Sequence, residues 1–76
     1  MDDFTATMIA EGVEVASPQK TLEAWAHLIK TGLCWSLQGF FGRTAQTFID
    51  NGMISSGGTI DYERVLELAP AFEFDE

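Results

Sequence analysis

Cysteine is almost missing from this 76-residue sequence: a single Cys34 cannot close an internal disulfide. Beside a single histidine, His27, it cannot complete a four-ligand structural zinc site either. With neither staple, so short a chain draws its stability from its core or from a partner. Long apolar runs are also absent. The longest are three or four residues, far below the roughly 18 that a membrane span requires. No basic stretch followed by an apolar one opens the chain, so a soluble, unprocessed, cytoplasmic protein is expected. Basic residues are scarce: four against twelve acids, a net charge of −8. That balance disfavours nucleic acid and anionic membranes and favours partners with a basic surface. A length under about 100 residues leaves room for one core, which excludes two-domain enzymes.

What charge there is lies at the ends. Residues 17–58 hold Glu23 and Asp50 against Lys20, Lys30 and Arg43, a balance of +1. The flanks hold Asp2, Asp3, Glu11, Glu14, Asp61, Glu63, Glu67, Glu73, Asp75 and Glu76 against Arg64, a balance of −9. Acidic ends keep a small apolar protein soluble; they also steer it toward a basic surface. Three segments follow from this distribution: an acidic stretch at 1–16, a helical domain at 17–68 and an acidic, aromatic tail at 69–76.

Local patterns predict a mainly α fold, a compact bundle of three to four short helices with acidic flanking segments. Phe4 and Met8 suggest a short helical turn, broken by Gly12 and followed by an extended Val13–Val15 stretch. Ser17-Pro18 is a helix start, because the Ser hydroxyl accepts from free N–H groups and Pro has no N–H to orphan. Leu22, Trp25, Ala26 and Ile29 then line one helical face until Gly32 caps it. A short helix is expected over 33–38, punctuated by Gly39 and Gly42, and a third from about Arg43 to a Gly52 cap. Ser55-Ser56-Gly57-Gly58 reads as a turn, with Thr59 or Asp61 capping a last helix through Leu68 that Pro70 stops. The expected core is Leu22, Trp25, Ile29, Leu33, Leu37, Phe48, Ile49 and Ile54. Nine aromatics exceed what three helices hide, so Trp35, Phe40 and Phe41 are candidates for self-association into a homo-oligomer.

Groups that could carry chemistry are few. His27 is the only histidine base and lies within a helix. Cys34 sits between Leu33 and Trp35, where desolvation raises a thiol pKa, so it reads as packing. No catalytic residue, metal or cofactor is expected, and the chain does not read as an enzyme. Gly39-Phe40-Phe41-Gly42 resembles a phosphate-clamping loop only in outline, since both inner residues are Phe; the plainer reading is that Gly42 permits the turn while one or both Phe anchor it in the core. Arg43 in a first helical turn opposes the macrodipole and invites a carboxylate, from an internal salt bridge or from a partner. A helix-turn-helix reading offers Arg43, Gln46 and Asn51, but Asp50 and the net charge oppose direct DNA binding.

The pattern Trp35-x-Leu37-Gln38-Gly39-x-x-Gly42-Arg43-Thr44-Ala45, within a run covering roughly residues 20 to 54, resembles a type of small accessory protein encoded by tailed bacteriophages. The resemblance implies a phage origin, and with it the host bacterial cytoplasm, more than a mechanism. The expected function is a non-catalytic protein that modulates a host protein or nucleic-acid-binding complex, of inhibitor or anti-defence type; a self-associating scaffold is the alternative. The expected contacts are Asp61, Glu63, Glu67, Glu73 and Asp75 on a basic host surface, with Phe72 and Phe74 as apolar anchors and Arg43 as a further candidate.

Overall fold

The computed structural model describes residues 1–68. Four α-helices follow one another: α1 (Asp3–Ala10), α2 (Pro18–Thr31), α3 (Gly39–Asp50) and α4 (Tyr62–Glu67), with a 3-10 turn (Leu33–Trp35) between α2 and α3. The domain is mainly helical. Among the described residues the sole β pairing is an antiparallel bridge between Ile54 and Ile60, and no helix is long and apolar enough to cross a membrane.

Local chemistry sets most boundaries. Asp2 Oδ1 accepts the Thr5 N–H at 2.7 Å and caps α1. Ser17 Oγ accepts the Lys20 N–H at 3.1 Å, with Pro18 opening α2, a cap worth about 1 kcal/mol. Gly32 ends α2 at φ 80°, a left-handed conformation that costs a side-chain-bearing residue more. Asp61, not Thr59, caps α4 by accepting the Arg64 N–H at 3.1 Å.

The core forms around α2, which buries Leu22, Ala24, Trp25, Ala26, Leu28 and Ile29. Trp25 is its centre. The rings of Phe40, Phe41 and Phe48 on α3 lie 6.1, 5.9 and 5.8 Å from it. Of the expected core, Leu22, Trp25, Ile29 and Ile54 are buried, while Leu33, Leu37, Phe48 and Ile49 pack against its edge. Ala6, Ile9, Leu28, Cys34, Phe41, Met53 and Val65 belong to it as well.

Three local expectations are corrected. The helix expected over 33–38 is a single 3-10 turn, closed by Trp35 N–H to Gly32 O and Ser36 N–H to Leu33 O. The next helix begins at Gly39, not Arg43, because neither Gly39 nor Gly42 takes a positive φ; both are helical. The stretch at 1–16 is not a separate flank. Helix α1 packs on α2 and places Ala6 and Ile9 in the common core, and Asp3 Oδ1 lies 2.7 Å from His27 Nε2 on α2. The residues beyond 68, including the stop expected at Pro70, lie outside the described residues.

Two glycines have opposite requirements. Gly58 (φ +87°) closes the 55–60 turn directly onto α2: a Cβ there would sit 2.5 Å from Lys30 Cβ and 2.8 Å from the Ala26 carbonyl oxygen. A Cβ on Gly42 would instead meet Trp35 at 3.6 Å, an ordinary contact. Urea denaturation should therefore show Gly58→Ala destabilised by roughly 2–4 kcal/mol. Gly42→Ala should be stabilised by about 0.5–1 kcal/mol, because it removes backbone freedom from the unfolded chain without a clash.

Candidate functional site

The single histidine and the single cysteine are both engaged in structure. His27 Nε2 bonds Asp3 and ties α1 to α2. Cys34 is fully buried, and that burial pushes its thiol pKa up, away from the nucleophilic thiolate. No group of three or more His, Cys, Asp and Glu is placed to hold a metal ion among the described residues.

The acids separate by what they touch. Asp2 and Asp61 cap helices, and Asp3 meets His27. Glu23 accepts from Gln19, and Asp50 from Gln46. Glu67 pairs with Arg64 at 2.9 Å. Arg64 also donates its Nε–H to Asn51 O at 2.7 Å, so the one cation of α4 is turned toward the end of α3. That leaves the carboxylates of Glu11, Glu14 and Glu63 exposed, with neither hydrogen bond nor ion pair among the described residues.

On either side of Glu63 in α4 stand two exposed apolar side chains. Tyr62 and Leu66, one turn apart on α4, are 48% and 70% exposed. They border an open groove of about 410 Å³ whose walls include Pro18 and Leu22 of α2 and Val65 of α4. Asp61, Glu63 and Glu67 thus come together on or beside α4, two of them spent on capping and pairing and Glu63 free for a partner. Phe72, Glu73, Phe74 and Asp75 lie outside the described residues. Tyr62 and Leu66 were legible in the sequence as an i, i+4 apolar pair. In a helix of six residues, however, nothing local shows that Val65 turns inward and leaves those two outside.

The other candidates divide. Arg43 is exposed and makes no ion pair among the described residues, so the internal salt bridge is not found there. Its guanidinium lies over Gly39, where a Cβ would be 2.9 Å from Nη1. Trp35 and Phe40 are exposed at 49% and 44%, but Phe41 is 3% exposed. Phe41 is therefore the core anchor of the pair, held against Trp25, and the self-association role expected for it is corrected. Trp35 lies against Gly42, and Phe40 is two residues away, about 200° around the helix. The trio is not a single surface patch.

What the geometry defines is a small helical domain with an open apolar groove between α2 and α4 and no assembled catalytic group among its described residues. The chain belongs to the family described as a domain of unknown function, DUF7417, whose model matches residues 1–69. No curated protein and no solved structure matches it.

The Asp2 cap carries a pH signature. The Thr5 N–H holds the Asp2 carboxyl below the ordinary aspartate value, near 3.9. A carboxyl with a lowered folded-state pKa contributes fully above that ordinary value, and the contribution is lost as pH falls through the lowered one. An NMR titration should place the Thr5 amide transition below the ordinary aspartate midpoint. Asp2→Asn, which keeps an acceptor at the cap, should abolish that transition while retaining α1.

Proposed function

We propose that this chain is a non-catalytic, phage-encoded binding protein that docks on a basic surface of a host protein, one that normally holds nucleic acid, and modulates it in the bacterial cytoplasm. The observation that carries the reading is the exposure of Tyr62 and Leu66 beside an open apolar groove, with Glu63 left without a partner among the described residues. Exposed aromatic and aliphatic anchors with charge around them are the usual composition of a docking patch. A net charge of −8 selects basic partners and speeds encounter with them. The acidic, aromatic residues after Leu68 extend the same chemistry along the chain, and the phage-like pattern at Trp35 to Ala45 supplies the setting.

The test is affinity capture from uninfected bacterial lysate at low and high salt, with a polyanion as competitor. The full chain should retain a nucleic-acid-binding protein at low salt and release it at high salt or to the polyanion. Leu66→Ser should lose about tenfold or more of that affinity through its missing anchor. Glu63→Gln should reduce the association rate and its salt dependence. Both positions are exposed, so both variants should melt as the parent does. Capture that is unchanged in both variants would remove the α4 groove from the interface and overturn the proposal.

A further inference from the structure

Helix α1 is apolar on more than the side it buries. Five of the eight residues in its sequence DFTATMIA are apolar, yet the two that are buried are Ala6 and Ile9, which face α2. Phe4 lies about 200° around the helix from Ala6 and is 71% exposed. Met8, one turn further on, shares that outer side and is half-buried; the returning chain bonds its carbonyl oxygen through the Val13 and Glu14 N–H groups. A helix that is apolar around most of its circumference is normally covered on both sides. Here the outer side is open.

Charge around this face selects what covers it. Asp2 and Asp3 at the start of α1 are engaged by Thr5 and His27. At the other end the carboxylates of Glu11 and Glu14 have no partner among the described residues, and no basic residue lies in the last turn. That end also carries the negative pole of the helix dipole, which favours a cation. Lys20 borders the same groove as Glu14 but pairs with no acid among the described residues. A second copy is opposed by like charge, since juxtaposing two α1 helices in either direction sets carboxylates against carboxylates in chains of −8. An anionic lipid surface is opposed for the same reason.

We propose that the outer face of α1 is a second docking surface, separate from the α4 groove, whose occupant is a cationic amphipathic helix of a partner protein. Apolar side chains of that helix cover Phe4 and Met8, and its Lys or Arg residues meet Glu11 and Glu14. The probe is a fluorescein-labelled helical peptide of Leu and Lys with one apolar face, beside a scrambled peptide of identical composition, read by anisotropy against the full chain.

The full chain should bind the amphipathic peptide in preference to the scramble, more weakly as salt rises. Phe4→Ser should weaken binding about tenfold or more. Glu11→Gln with Glu14→Gln should remove most of the salt dependence, and Leu66→Ser should change neither. Because Phe4 is a surface residue, its variant should melt as the parent does; the Glu pair gives an independent reading if it does not. Equal binding of both peptides would overturn the proposal. So would loss of binding in Leu66→Ser with Phe4→Ser unaffected, an outcome that leaves the α4 docking reading standing. A dimer in solution that Phe4→Ser dissociates would assign the face to a second copy and overturn it as well.

Discussion

The contact between the Trp25 indole and the phenylalanines of α3 holds the domain together, because a chain without disulfide or metal has only apolar packing to set its helices against one another. Phe40, Phe41 and Phe48 all approach that one ring, so the position of α3 on α2 is decided there. The remaining elements attach to other sides of the same helix. Ala6 and Ile9 bring in α1, Gly58 lets the 55–60 turn close on Ala26 and Lys30, and Leu22 lies beside Val65 of α4. Helix α2 therefore acts as the scaffold on which both candidate surfaces are carried: α1 on one side and the α4 groove at its first turns.

The interior contains no buried polar or charged residue among those described, so the acids operate entirely at the surface. There they perform two kinds of work. Some are consumed in holding helices in place, by capping, by meeting His27 or by pairing with Arg64. Others stand free beside exposed apolar side chains: Glu63 near Tyr62 and Leu66, and Glu11 and Glu14 near Phe4 and Met8. Exposed ion pairs are worth little in stability, so the free carboxylates cost the fold little and remain available to a basic partner.

The parts of the architecture that depend on neighbours in the chain are legible in the sequence. Ser17-Pro18, Gly32, Gly52 and Asp61 act within a turn of where they stand, and each serves as the boundary that its local chemistry specifies. The face of Leu22, Trp25 and Ile29 follows from helical periodicity. The same local logic failed at Gly39 and Gly42. As residues they signal a break, but both sit inside α3, where Trp35, brought there by the 3-10 turn, lies at ordinary contact distance from the Cβ position of Gly42.

The sequence by itself determined that this would be a small, acidic, mainly helical domain, because composition, caps and periodicity act over a few residues or over the whole chain at once. Tertiary structure decided the rest. It took Phe41 inward while leaving Phe40 and Trp35 outside on different sides of α3, and drew Ala6 and Ile9 of α1 into the common core. It also determined which carboxylates were already engaged and which were left for a partner. Those outcomes depend on which helix faces meet, a property of packing between segments far apart in the chain that no local pattern carries.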